Sequence, residues 1–222
     1  MRSAAKTRYH HGALEQALVD EAVRQVHERG ADQVSLRGLA QAVGVSPSAA
    51  YQHFPDKAAL MVAVCAAVGT ELARRMQAAV DAAGGDDDTG AVSRFLAVGQ
   101  AYVTFALEEP HLFRHMFGPA GAQDGPYEPM EAHAEPDGAY GILLARLGEL
   151  AGRGLLRPGL GDETALDVFA WSLVHGFSSL MVEGHLPVEA GGPVLVLFGR
   201  LVLTESGFAT FAAALEGRLV AP

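Results

Sequence analysis

The chain has 222 residues, half of them hydrophobic and 19% charged, with a formal net charge of −10 and one cysteine. That composition excludes a disordered chain and an internal disulfide framework, and the length allows one large domain or two modest ones. No apolar run reaches the roughly 20 residues that cross a bilayer, and Met1 to Gly12 is polar and basic, without the apolar stretch of a secretory signal. The expectation is a soluble cytoplasmic protein with no membrane partner.

Charge is unevenly placed. Residues 1–60 carry seven basic and six acidic side chains, net +1, whereas the remainder carries nine basic and twenty acidic, net −11. A basic contact module on an acidic body shows that split.

Apolar residues at Leu14, Leu18, Ala22 and Val26 recur at helical spacing and predict a first helix, stopped by Gly30. Ser35 can cap a second helix with Leu36, Leu39, Ala40 and Val43 facing inward, and Gly44 ends it. Ser46 is the next cap, and Pro47 fits a first helical position, where a missing N–H costs nothing. This third helix closes near Phe54-Pro55. Asp56 can cap a long fourth helix to about Ala83, followed by the polar stretch Gly84 to Gly90. Phe95, Val98, Tyr102 and Phe105 carry the next helix to Glu109-Pro110, and "HLFRHMFG" makes a short one. Residues 118–137 hold four prolines and no periodicity, which predicts a long loop. Tyr140, Leu143, Leu144, Leu147 and Leu150 mark a further helix, 162–184 the most apolar one, and 192–217 a last helical region, although "VLVLF" alone also reads as a strand. The fold class is therefore all-α, with about nine helices.

The second and third helices are joined by Gly44-Val45-Ser46 alone. So tight a turn, with glycine free to take positive φ, sets two helices at a steep angle, and Leu39, Ala40, Val43, Val45 and Ala50 form the small core that holds it. This is a helix-turn-helix pattern, which projects the N-terminal part of its second helix into a DNA major groove. Ser48 and Ala49 would face base edges, flanked by the capping Ser46-Pro47 and by Gln52. Tyr51, His53 and Lys57 would donate to phosphates, and Arg37 would meet the opposite strand or a guanine.

The segment "SLRGLAQAVGVSPSAAYQHFPDKAAL" resembles the DNA-binding segment of TetR-family transcriptional regulators: Ser35, Arg37, Ala40, Gly44, Val45, Ser46, Tyr51, His53, Phe54, Lys57 and Leu60 match the family pattern. The resemblance implies phosphate contacts from Tyr51, His53 and Lys57. Where the family commonly has Gly-Thr or Gly-Ser early in the third helix, this chain has Ser48-Ala49. "RYHHGALEQAL" is similar to the start of one TetR subgroup, whose C-terminal Trp-x-x-x-His-Gly motif is matched by Trp171, His175 and Gly176.

The family further implies a helix-turn-helix domain over about 1–60 (motif about 35–54) and a ligand-binding and dimerisation domain over 61–222. Helix 162–184 is apolar nearly all round, so a second copy of the chain is the simplest cover for one face. A two-fold dimer would hold its recognition helices roughly 34–36 Å apart on a palindromic operator in double-stranded DNA. Phe95, Tyr102, Phe105, Phe113 and Phe117 with Leu143, Leu147, Phe169, Leu173 and His175 are candidate walls for a small apolar or aromatic effector, and core for any of them taken singly.

His111 and His115 stand at i, i+4, yet no cysteine or carboxylate completes a metal set, so neither metal nor cofactor is expected. Cys65 lies on an apolar helix with no adjacent base, so an activated thiol is not expected, and no nucleophile elbow, phosphate loop or zinc-protease motif is present. The expectation is not an enzyme but a bacterial, ligand-responsive DNA-binding repressor. The rival reading is an all-helical small-molecule-binding protein or enzyme whose N-terminal bundle is only structural.

Overall fold

The computed structural model of the chain describes residues 3–117, 135–160 and 165–219. Most of the proline-bearing stretch 118–137 and the start of the segment 162–184 lie outside them. Among the described residues there are ten α-helices and no strand: α1 (Ser3–Arg29), α2 (Leu36–Val43), α3 (Pro47–His53), α4 (Lys57–Ala82), α5 (Asp88–Glu108), α6 (Pro110–Phe117), α7 (Ala139–Gly152), α8 (Leu166–Val182), α9 (Gly191–Val202) and α10 (Glu205–Leu219). The all-α class is as expected. The count exceeds nine because the last helical region is two helices, and "VLVLF" is helical, inside α9.

The chain forms two compact units. One runs to Glu71 and also takes α6; the other holds Leu72–Glu108 and the chain from α7 onward. The first unit is built on Leu18, Ala22, Val26, Leu39, Ala40, Ala50, Leu60 and Val64, all fully buried. α6 belongs there because its flank and its inner face are engaged within that unit. Glu109 pairs with His27 of α1, and His115 lies 3.3 Å from the Met61 carbonyl of α4.

In the second unit α5 is the central helix, against which α7, α8 and α10 pack, with Tyr102, Phe105, Leu150, Leu203 and Phe211 buried. At the turn before α5, the Asp87 carboxylate accepts from the Gly90 N–H at 2.8 Å, and a Cβ on Gly90 would stand 2.2 Å from the Gly85 carbonyl, so only glycine fits. Leu203 separates α9 from α10 because it pairs with Leu156. Arg157 N–H donates to the Val202 carbonyl and Thr204 N–H to that of Leu155, both at 2.9 Å. The Arg157 guanidinium then caps the carbonyls of Arg200 and Leu203 at 2.7 and 3.0 Å, satisfying acceptors that the end of α9 leaves open.

Candidate nucleic-acid interface and effector core

The corner between α2 and α3 is held by three local devices. Ser35 accepts the Gly38 N–H at 3.2 Å and caps α2. Gly44 ends α2 in the left-handed region, φ 81° and ψ 30°. Val45 N–H then returns to the Ala40 carbonyl at 2.8 Å and Gly44 N–H to that of Gln41 at 3.2 Å, the two bonds of a Schellman ending. Ser46 accepts the Ala49 N–H at 3.2 Å with Pro47 behind it, so α3 begins two residues after α2 has closed. Leu39, Ala40 and Ala50 are fully buried in the angle. No large side chain could enter without parting the helices.

That corner decides what α3 presents. Ser46, Pro47, Ser48 and Gln52 are exposed, Tyr51 is 45% exposed and Ala49 half-buried. Ser48, Tyr51 and Gln52, at i, i+3 and i+4, share one open face. Arg37 on α2 is also exposed. The other two predicted contacts are already engaged. The His53 side chain is only 6% exposed, with Nδ1 3.5 Å from the Glu15 carboxylate of α1. Lys57 is half-buried and its Nζ donates to the Asp32 carbonyl at 3.2 Å, tying the start of α4 to the turn before α2.

The residues expected to wall an effector pocket are distributed between the units. Phe113 and Phe117 stand on α6 in the first, ring centroids 5.0 Å apart. In the second unit Tyr102, Phe105, Leu143 and Leu147 are buried, while Phe95, Leu173 and His175 are half-buried. Phe169 is 42% exposed and stacks on Phe198, which stacks in turn on Phe95, at centroid distances of 5.7 and 5.8 Å. Tyr102 Oη lies 2.9 Å from His175 Nδ1, with Ser179 Oγ 3.5 Å from Nε2. Burial raises the tyrosine above its ordinary pKa and lowers the imidazole, so the pair is neutral. A separate open cleft of about 430 Å³ runs along the second half of α4 and α5, lined by small alanines with Arg75, Gln100, Thr104 and Glu108, and includes none of the expected wall residues.

Among the described residues no three His, Cys, Asp or Glu side chains are grouped to hold a metal ion. One pairing had no signature in the sequence: Cys65 Sγ of α4 lies 3.4 Å from His115 Nε2 of α6. Nor is any helix among them long and apolar enough to cross a membrane.

Two family models match the chain. That for bacterial regulatory proteins of the tetR family matches residues 18–64, and that for the C-terminal domain of tetracyclin-repressor-like proteins matches residues 95–204. The HTH-type transcriptional regulator BetI of Brucella suis is 31% identical over 91 residues, 41% of this chain and 45% of that protein. The chain spans less than half the length of the curated relatives it matches. Among solved structures, a protein of unknown function from Rhodococcus sp. RHA1 is 27% identical with a TM-score of 0.69, covering 88% of this chain and 98% of that one. A TetR-family transcriptional regulator from Pectobacterium atrosepticum shares the fold, with a TM-score of 0.62 at 21% identity over 96% of this chain and 94% of its own.

Proposed function

The chain belongs to the TetR family of bacterial regulatory proteins, and on that premise we propose that it is a homodimeric, ligand-responsive transcriptional repressor that binds a palindromic DNA operator. The observation that carries this reading is the open Ser48–Tyr51–Gln52 face of α3, set by the capped corner behind it. In the major groove Ser48 and Ala49 come close to base edges because they are small. Gln52 offers a paired donor and acceptor to a base, while Tyr51 and Arg37 donate to phosphates. His53 and Lys57 act chiefly as braces, fixing α3 against α1 and the start of α4 against the turn before α2; Lys57 reaches a phosphate by exchanging the Asp32 carbonyl for it.

The second unit takes the effector and the second copy. Phe95, Tyr102, Leu143, Leu147, Leu173 and His175 offer apolar walls with few polar groups, suited to a small apolar or aromatic molecule. The outer residues Val168, Phe169 and Leu180 of α8 and Leu197 and Leu201 of α9 are large, apolar and exposed, and they suit the dimer contact. α4, at 26 residues about 39 Å long, begins beside α3 and contributes its second half to the effector unit. An effector that favours the helix position misfitted to the operator lowers DNA affinity by the coupling free energy, typically about 1–3 kcal/mol.

The test is a gel-shift on the DNA flanking the protein's own coding sequence, over a series of salt concentrations. A specific, salt-sensitive band is expected. Removing either Arg37 or the Tyr51 hydroxyl weakens binding to all sequences alike, and loss of the Arg37 charge also reduces the salt slope by about one unit, whereas loss of the neutral hydroxyl leaves the slope unchanged. The absence of any specific band on that DNA counts against the reading.

A further inference from the structure

Cys65 and His115 meet inside the first unit, sulfur to Nε2 at 3.4 Å. The histidine is only 3% exposed, its Nε2 is also 3.3 Å from the Met61 carbonyl, and its Nδ1 is buried with no hydrogen-bond partner among the described residues. Neither neutral tautomer satisfies this ring. With the proton on Nε2 it donates to Met61 and leaves a bare lone pair on Nδ1. With the proton on Nδ1 that donor is stranded, and Nε2 is free to accept the Cys65 thiol proton. A buried polar atom left without a partner is costly and calls for an explanation that packing does not provide. Cys65 itself is half-buried, not sealed in the core.

We propose that Cys65 and His115 form a covalent modification site for small soft electrophiles of the α,β-unsaturated carbonyl class, with Cys65 as nucleophile and His115 as its base. Burial raises the thiol above its ordinary pKa, so at neutral pH the sulfur is protonated and needs a base in contact to react. His115 Nε2 takes the thiol proton as sulfur bonds to the β-carbon, and the carbon–carbon π pair moves toward the carbonyl oxygen. The imidazolium then returns its proton to the resulting enolate. The step is a net addition that consumes no oxidant or reductant.

The adduct lodges between α4 and α6. α6 is tied to α1 through Glu109 and His27, and His111 Nδ1 lies 3.6 Å from where a Cβ on Gly30 would be. α1 is also the helix on which α2 and α3 pack. Displacing α6 therefore disturbs the support of the corner that presents α3. This consequence rests on the DNA-binding reading above; the thiol chemistry does not.

The test uses the full chain, N-ethylmaleimide as the probe, and intact mass as the readout, which is unambiguous because the sequence holds one cysteine. A single adduct on Cys65 is expected, forming at least about tenfold faster in the native chain than in the same chain unfolded in urea, with a small free thiol correcting for the urea itself. His115→Gln removes that advantage while the thermal midpoint stays close to wild type. A native chain that reacts no faster than the unfolded one overturns the proposal, and this comparison decides even if His115→Gln fails to fold. Unchanged kinetics in a folded His115→Gln chain overturn it too. Separately, the modified protein should lose its specific gel-shift and Cys65→Ser should keep it under the same treatment. A full adduct with an unchanged shift overturns the coupling to α3. An unmodified protein that gives no band strikes the DNA-binding reading and leaves the thiol result standing.

Discussion

Tyr102 of α5 and His175 of α8 are joined by a 2.9 Å hydrogen bond within the second unit. The tyrosine is 1% exposed, so its hydroxyl needs a partner, and since it stays protonated it donates to Nδ1 of the imidazole. One turn earlier on α8, Trp171 sits edge-on to the same tyrosine at 5.4 Å and to Tyr140 at 5.7 Å, and the Tyr140 hydroxyl donates to Asp167. The Trp-x-x-x-His spacing thus places an aromatic face and a hydrogen-bond acceptor against one buried residue. Tyr102→Phe should lower unfolding free energy by about 1–2 kcal/mol, because Nδ1 loses its donor while the ring remains.

Burial lowers the His175 pKa from 6.5, so the folded protein resists protonation there while the unfolded chain accepts it. The unfolded state then binds more protons, and stability rises with pH across that window. The contribution is complete above 6.5 and is lost as pH falls from there through the lower folded value. Urea melts between about pH 8 and about pH 5 should show a decline that His175→Gln flattens. Parallel declines in both proteins would refute the assignment.

Gly44 occupies φ 81° with open space where a Cβ would go, so substitution there is penalised by backbone conformation alone. Gly44→Val should cost about 1–2 kcal/mol, and Gly44→Asn distinctly less, because asparagine tolerates the left-handed region. Denaturation melts give that order. Gel-shift affinity should fall further than stability does in the valine variant, since the angle of α3 depends on this residue. Equal losses for valine and asparagine would mean that something other than φ sets the cost.

The corner was legible in the sequence because every signal in it is local: Ser35, Gly44 and Ser46-Pro47 act on backbone groups within five residues of themselves. Features set by distant partners were not. The break between α9 and α10 depends on Leu155 to Arg157, whose pairing with Val202 to Thr204 carries no sequence mark. The placement of α6 depends on contacts such as His27 with Glu109, 82 residues apart, and the base beside Cys65 arrives from 50 residues away. Helix 162–184 is apolar on almost every side, so periodicity could not tell the half-buried Leu173 from Phe169, which is exposed on the outer face.

That outer face yields a prediction about assembly. Leu197 and Leu201 are 58% and 53% exposed one turn apart on α9, so Leu197→Glu and Leu201→Glu together remove little burial from the folded chain itself. If these residues meet a second copy, two carboxylates placed in that contact must be desolvated or repel their counterparts. Sedimentation velocity should show the doubly substituted protein as a monomer at concentrations where the wild type is a dimer, with its thermal midpoint falling because the dimer no longer supports it. A substituted protein that still sediments as a dimer places the contact elsewhere.

Arg94 closes the second unit at the end of α4. Its guanidinium meets the Glu149 carboxylate of α7 on one side and the carbonyls of Gly84 and Gly85 on the other, while Arg153 reaches the Asp86 carbonyl at 2.6 Å. One planar cation therefore fastens the glycine turn after α4 to α7. Arg94, ahead of Arg146 and Arg153, holds the Glu149 carboxyl below its usual range. Because its folded pKa lies below the unfolded value of 4.5, the stabilisation is present above 4.5 and is lost as pH falls through the folded value. Arg94→Met keeps most of the aliphatic stem but removes the charge and the carbonyl contacts. It should cost about 1 kcal/mol at neutral pH, and the difference from wild type should shrink in acid as Glu149 is protonated. A difference that stays constant through the acid range would show that the stability comes from the carbonyl contacts alone.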